Sequence, residues 1–591
     1  MAGYSKLDYL RLMMLSREGD RREGILLRQS KGWFQVSGMG HEALGALSLL
    51  LRPDDYLFPY YRDRALMLAR GISNYELALA YFAKRESSSG GRQMPGHYSD
   101  RARNVFSVCT PTGGSLLPAC GTAWSMRLSG TDSVCLATIG DAASRQGEFF
   151  EAVAFALQED LPVVFLVEDN KYGISTPTEK FLPFHLGMLA EDLVVKIDAR
   201  HPERVLAAGE AAVAKARAGQ GPTLIWADID RLASHTSSDD HRVYRPQEEI
   251  DAMVLRDPIR LVAEELIASG ELTAEKFQEM SESVAAEVDA DYLRAEKQAD
   301  PLASETLLFN FGEVAPAVVP PIQPGRQTMV QAINHTLRRA LEENPKALFF
   351  GEDIEDPKGG VFGITKGLSD SFPNQVFNSP LAEATIMGAA VGAAAYGMKP
   401  IFELQFIDFV APGWNQITTN MSTLRWRTFG DWKCPCVIYA PYGAYLPGGS
   451  LWHSQSNEAA LAHVTGIHVV IPSTPEDAAG LLWSAIHGDD PVFVLIPKHI
   501  FRKQVEVTEI VPVPLGKAKV VREGADVTLV TWGNCLELAH TAADQSGVSV
   551  EIIDLRSIVP CDYDTIVQSV EKTGRLVVVH EDNRTSGFGQ T

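Results

Sequence analysis

Two residues able to hold a hard cation stand at the ends of neighbouring β-rich runs. Ser133–Ile139 leads into Gly140-Asp141, and Leu161–Val167 leads into Glu168-Asp169-Asn170. Asn170 follows Asp141 by 29 positions, room for one helix between two parallel strands. Both side chains then sit at the carboxyl ends of strands, where ligands bind in such sheets. A carboxylate and an amide oxygen are hard donors suited to Mg²⁺, whose octahedron keeps places for phosphate oxygens. Gly140, Ala142 and Ala143 are small enough for backbone N–H groups to approach a diphosphate before the helix that opens at Gly147-Glu148. The same residues also fit a plain strand-to-helix turn capped by Asp141.

Other residues invite chemistry less directly. Glu383 opens a helical run beside Pro380, Leu381, Ala382 and Ile386; apolar surroundings raise a carboxyl pKa and keep it protonated. It also fits a simple macrodipole partner. His453, in Trp452-His453-Ser454-Gln455-Ser456, is either a site histidine or a hydrogen-bonded core residue. Tyr61-Arg62, taken alone, fits a plain surface pair. Gly38-Met39-Gly40 mimics a dinucleotide fingerprint, but the spacing is wrong and no strand precedes it. His41-Glu42 lacks the second histidine of a zinc protease, Cys434-Pro435-Cys436 is too tight for a zinc pair, and neither a P-loop nor a Gly-x-Ser-x-Gly elbow occurs.

These residues need scaffolds. A chain of 591 residues exceeds one hydrophobic core. Short apolar runs alternate with helical segments: Val163–Val167 and Leu224–Asp228, then Ala347–Phe350, Cys436–Ala440, Val469–Ile471 and Val492–Ile496, then Asp526–Thr531, Ser549–Ile553 and Leu576–Val579. Fully apolar strands separated by helices predict α/β doubly wound domains in tandem, with parallel sheets covered on both faces. Gly312–Arg326, with four prolines, reads as an extended linker. Expected domains are therefore 1–311, the linker 312–326, 327–510, and a thin α/β domain over 511–591 that reads as incomplete. Net charge is −22, which argues against nucleic-acid or anionic-membrane partners. Seven scattered cysteines point to a reducing compartment. The N-terminal segment lacks an apolar h-region, and the longest weakly polar run, Ile386–Met398, is too short for a membrane span. A cytoplasmic protein is expected.

The Gly140-Asp141 to Asn170 block resembles the thiamine-diphosphate motif, specifically the α part of the E1 component of 2-oxo acid dehydrogenase complexes. Met94–Asp100 and Lys171–Pro177 agree with it, while Ala142 and Asp169 depart from the usual Gly and Asn. The resemblance implies thiamine diphosphate and Mg²⁺ as cofactors, with Asp141, Asn170 and the Tyr172 carbonyl as metal ligands. It places Tyr61 and Arg62 at the diphosphate, with Gly140, Ala142 and Ala143 along it, and Thr110 and Thr112 in the loop along the aminopyrimidine. Arg231–Arg245 resembles the loop that seals the cofactor channel, with His235 beside the reacting carbon. The second half resembles E1 β: Glu383 would hydrogen-bond the pyrimidine, Leu381 would bend the cofactor, Gln405 and Phe409 would line its pocket, and His453 would be the second active-site histidine. A cofactor shared between halves, a homodimer of fused chains and a lipoylated E2 partner follow from the same resemblance. Asp239-Asp240 looks like branched-chain 2-oxo acid enzymes, whereas Phe409 replaces a Tyr of such relatives. Pyruvate dehydrogenase E1, a transketolase-like ketol transferase and a non-catalytic scaffold are the alternative readings.

Overall fold

The computed structural model describes residues 5–313, 317–444 and 449–591. Residues 314–316 of the expected linker lie outside the described residues. Contacts divide the chain into two units, Met1–Leu308 with Arg427–Trp432, and Phe309–Trp426 with Lys433–Thr591. Arg427–Trp432, placed in the second domain by sequence, is thus part of the first unit.

In the first unit five strands, β1 (Tyr56–Phe58), β2 (Cys135–Gly140), β3 (Val163–Asp169), β4 (Val194–Asp198) and β5 (Thr223–Asp228), form a sheet of order β1-β2-β3-β5-β4. Every pairing is parallel. β3 is buried along its whole length, as a central strand covered on both faces must be. Helix Gly147–Gln158 returns the chain from β2 to β3 and buries Phe149, Ala152, Val153, Phe155 and Ala156, a 3.6-residue stripe. The long N-terminal helix Lys6–Arg28 starts at a capping box between Ser5 and Asp8.

The second unit contains β6 (Ala347–Gly351), β7 (Val376–Asn378), β8 (Lys399–Glu403), β9 (Val437–Tyr442), β10 (His468–Val470), β11 (Val492–Pro497), β12 (Lys519–Arg522), β13 (Val527–Thr531), β14 (Val550–Asp554), β15 (Ser557–Val559) and β16 (Leu576–Val579). One sheet has the order β7-β6-β8-β9-β11-β10-β15 and the other β12-β14-β13-β16. Both are parallel except at one edge, where β15 pairs antiparallel with β10 and β12 with β14. The expected parallel sheets are present, with an antiparallel strand at one edge of each. The few residues between β12 and β13 cannot hold the crossover that a parallel strand requires. Helix Glu383–Tyr396 is almost entirely buried and ends at Gly397 with φ of 108°, the left-handed stop that glycine adopts without strain. Among the described residues no helix is long and apolar enough to cross a membrane, and all seven cysteines are free thiols.

Candidate active site

In the first unit Gly140 of β2 is level with Glu168 of β3, so Asp141 and Asn170 emerge together at the carboxyl edge of the sheet. A cavity of ≈ 310 Å³ opens there. Tyr61, Arg62, Thr112, Gly140, Asp141, Ala142, Ala143, Asn170, Tyr172 and His235 line it. Thr110 and Arg231 do not. Thr110 is exposed and its hydroxyl meets His97 Nε2 at 2.7 Å. Arg231 is buried and acts through its neighbours.

Asp141 does not cap the long helix, which begins six residues later, nor does its side chain cap the short 3₁₀ turn Ala142–Arg145. Its Oδ2 accepts from Thr178 Oγ1 at 2.5 Å. Burial, then the neighbouring Asp169, push the Asp141 carboxyl up to about 7. Among the described residues no Lys, Arg or His forms an ion pair with Asp141; Lys171 pairs instead with Asp169 and Asp228, at 2.8 and 3.0 Å. A buried carboxylate beside a second one, lacking its own cation, fits a divalent ion. No group of three or more His, Cys, Asp or Glu among the described residues could hold a metal by itself. A cation at Asp141 must therefore draw on the amide of Asn170, a carbonyl and ligand oxygens, a donor set that suits Mg²⁺.

The two departures from the motif have physical accounts. Asp169 faces the scaffold, accepting from Trp226 Nε1 at 2.9 Å and from Lys171 Nζ at 2.8 Å. Ala142 has no positive φ, so its Cβ brings no backbone strain. Its Cβ is packed close to Gly173, where an added Cβ would lie 2.7 Å away. Tyr172 N donates to Asn170 Oδ1 at 3.3 Å, Tyr172 OH donates to Glu249 Oε2 at 2.9 Å, and the Arg245 guanidinium lies 4.1 Å from the Tyr172 ring centroid.

His235 is fixed on several sides. Arg62 Nη2 donates to its Nδ1 and to its carbonyl, both at 2.8 Å, and Asp239 Oδ2 accepts from its backbone N–H at 2.8 Å. Tyr244 OH donates to the same Asp239 oxygen at 2.6 Å, while Arg231 Nη2 donates to Tyr244 OH and to the Ile174 carbonyl. A guanidinium only donates, so Nδ1 accepts and the neutral ring carries its proton on Nε2. Burial, then Arg62 and Arg231, push the His235 pKa down to about 4. Arg62 spends further donor capacity on the Ser37 carbonyl at 2.8 Å; it holds His235 as well as lining the cavity.

Sequence reasoning missed Tyr60, Thr138, Gln146 and Ile174, which also line the cavity. Tyr60 OH donates to buried Glu168 Oε2 at 3.1 Å, and His41 Nδ1 meets the same oxygen at 2.6 Å. Tyr60 stood beside the Tyr61-Arg62 pair, and Glu168 beside Asn170, so proximity was the available signal. The glycines of the false dinucleotide motif serve packing: a Cβ on Gly40, at φ of 96°, would lie 1.8 Å from the Asp230 carbonyl oxygen.

In the second unit the expected residues come from loops at the carboxyl ends of parallel strands. Glu383 opens its helix shortly after β7. Gln405 follows β8, its Nε2 3.4 Å from Asp353 Oδ2. Phe409 closes the 3₁₀ turn Ile407–Phe409. The His453 ring meets Phe406 and Phe409 edge-on, with centroids 4.9 and 5.7 Å apart. Leu381 is 82% exposed. Glu352, unread in the sequence, is pushed up to about 7 by burial, then by Glu383 and Asp353, which puts these three acids at one strand edge. Lys498 was also missed; its Nζ donates to the His453 carbonyl at 2.7 Å.

Comparison with known proteins covers both units. Residues 10–304 match the family described as Dehydrogenase E1 component, 326–504 the Transketolase, pyrimidine binding domain, and 516–591 the Transketolase, C-terminal domain. The chain is 43% identical over 271 residues to 2-oxoisovalerate dehydrogenase subunit beta, mitochondrial, of Dictyostelium discoideum, covering 44% of this chain and 72% of that protein. It is 42% identical over 262 residues to 2-oxoisovalerate dehydrogenase subunit beta of Bacillus subtilis (43% and 79% covered). Pyruvate dehydrogenase E1 component subunit beta of Acholeplasma laidlawii is 42% identical over 266 residues (44% and 81% covered). With an E1 dehydrogenase region followed by pyrimidine-binding and C-terminal regions on one polypeptide, the chain belongs to the thiamine diphosphate-dependent E1 components of 2-oxo acid dehydrogenase complexes, with α-like and β-like parts fused.

Proposed function

We propose that the protein catalyses Mg²⁺-dependent oxidative decarboxylation of a branched-chain 2-oxo acid of the 2-oxoisovalerate type, passing the acyl group to the lipoyl group of an E2 partner. The carrying observation is one cavity at a strand edge lined by Arg62, Asp141, Asn170, Tyr172 and His235. When bound, thiamine diphosphate supplies a thiazolium that accepts the electron pair released with CO₂. Asp141, Asn170 and the Tyr172 carbonyl would hold Mg²⁺, and Arg62 would face the diphosphate. His235, neutral with its proton on Nε2, would donate a hydrogen bond to developing negative charge near the keto carbon. Glu383 would present its carboxyl to a pyrimidine nitrogen, and His453 would take part in proton transfer. The Asp239-Asp240 pair and the 2-oxoisovalerate dehydrogenase relatives support the branched-chain substrate. A pyruvate substrate is the second reading, favoured by Phe409 and by the pyruvate dehydrogenase relatives. We place the enzyme in the cytoplasm as a homodimer.

Calorimetry with thiamine diphosphate and Mg²⁺ tests the cofactor assignment; absence of binding removes it. Comparing kcat/KM for 2-oxoisovalerate, pyruvate and 2-oxoglutarate with an artificial electron acceptor decides the substrate. Unchanged turnover in Glu383→Gln removes Glu383 from the reaction, and sedimentation gives the oligomeric state.

A further inference from the structure

We propose that Lys498, together with Asp408, is the positioning device for His453; the proposal rests on the catalytic role assigned above to that histidine. The three residues come from loops after three parallel strands: Asp408 after β8, His453 after β9 and Lys498 directly after β11. Lys498 is 1% exposed. Its Nζ donates to the His453 carbonyl at 2.7 Å, stands 3.8 Å from Asp408 Oδ2 and lies 4.8 Å from the Phe406 ring centroid. Asp408 Oδ1 accepts from the Gln455 backbone N–H at 2.9 Å. One ion pair therefore grips the turn Leu451–His453 at two backbone points, on the histidine itself and two residues beyond it. Phe406, on which the ammonium rests, also packs edge-on against the His453 ring at 4.9 Å.

Packing alone does not explain a lysine here. A methionine fills a similar volume without the cost of taking an ammonium out of water. Buried ion pairs add little stability over apolar replacements; their better-attested use is to select one geometry. The selected geometry here is that of the His453 backbone, imposed from the end of β11 at Lys498 and from the 3₁₀ turn Ile407–Phe409 at Asp408. The Lys498 backbone N–H donates to the Tyr442 carbonyl at 3.1 Å, extending the β9–β11 ladder to the lysine. Lys498 acts through His453 and has no assigned contact with substrate, so it is a positioning residue.

The test is a double-mutant cycle in the full chain with Lys498→Met, Asp408→Asn and His453→Gln, assayed by 2-oxo acid decarboxylation with an artificial electron acceptor. Lys498→Met is expected to lower kcat tenfold or more, in line with the cost of misplacing a reacting group by about 1 Å. KM and the thiamine diphosphate Kd should change less than twofold. In the His453→Gln background the same substitution should cost less than twofold, because the group it positions is gone. Asp408→Asn, which keeps the shape, supplies the same cycle if Lys498→Met does not fold. Full turnover in Lys498→Met, or an equal loss in both backgrounds, overturns the proposal while leaving the function intact. Unchanged turnover in His453→Gln overturns the proposal together with the role given to that histidine.

Discussion

Gly173→Ala adds one methyl between the two loops that carry the assigned metal ligands. The new Cβ would stand 2.7 Å from the Ala142 Cβ, whereas carbon atoms in contact settle about 3.5–4.0 Å apart. The loops must separate by roughly 1 Å, since the obstructing atom is attached directly to backbone. Gly173 has no positive φ, so the effect is steric, without conformational strain. Overpacking of this kind costs about 1–3 kcal/mol. Asp141 precedes Ala142 and Tyr172 precedes Gly173, so the displacement falls on the residues proposed to hold Mg²⁺. A 1 Å misplacement costs on the order of 100-fold in rate, equivalent to about 2.7 kcal/mol. Calorimetry should show weaker binding of thiamine diphosphate with Mg²⁺, and kcat/KM should fall by about that factor. Adding Ala142→Gly removes the opposing methyl, and the double variant should recover most of both losses. Binding within twofold of wild type in Gly173→Ala, or no recovery in the double variant, refutes the reasoning.

Further outcomes follow from the same geometry. Because Arg62 donates to Nδ1, the His235 ring should remain neutral well below pH 6 in the folded protein; ¹⁵N NMR of labelled histidine checks this, and titration near 6.5 contradicts it. Its folded pKa lies below the unfolded value, so its stabilising contribution is present above about pH 6.5 and is lost as pH falls through about 4. Glu403 is buried, and burial pushes its carboxyl up to about 8. The sign is opposite: its contribution is full below the unfolded pKa and disappears as pH rises through about 8. Wild type should lose about 1.4 kcal/mol of stability between pH 7 and 9, one pKa unit's worth, and Glu403→Gln should flatten that loss in thermal melts. Gly19→Ala puts its Cβ 2.2 Å from Arg64 Nη2, a buried guanidinium held by Glu23, Asn74 and Tyr292. The usual helix gain of about 1 kcal/mol should reverse into a loss of about 3–5 kcal/mol, read from denaturant unfolding.

The strand ends were legible because chemistry and apolar pattern coincide there: β2 and β3 are continuous apolar runs followed at once by oxygen donors. β1 and β7 escaped because three residues give no periodicity, and β4 because its middle residues are exposed. Lys399 opens β8 and reads as solvent-facing, yet its ammonium is buried and donates to the Gly488 carbonyl at 2.8 Å. The residues that hold the two histidines were beyond reach for a different reason. Arg62 meets His235 across 173 positions, and Lys498 meets His453 across 45. Residue type announces such groups as charged, but only the fold decides which carbonyl or ring nitrogen they hold.

The departures from the family motif show what a sequence pattern does and does not constrain. The usual Asn at position 169 could be exchanged because this side chain points toward Trp226 and Lys171, where a carboxylate accepts both donors at least as well as an amide. The usual Gly at 142 could be exchanged because the backbone there avoids positive φ and Gly173 leaves space opposite. Neither change touches Asp141 or Asn170. The motif is thus two requirements of different kinds: oxygen donors at fixed strand ends, and loop clearance, which this chain meets by pairing Ala142 with Gly173. A search that demanded glycine at 142 would confuse the second requirement with the first.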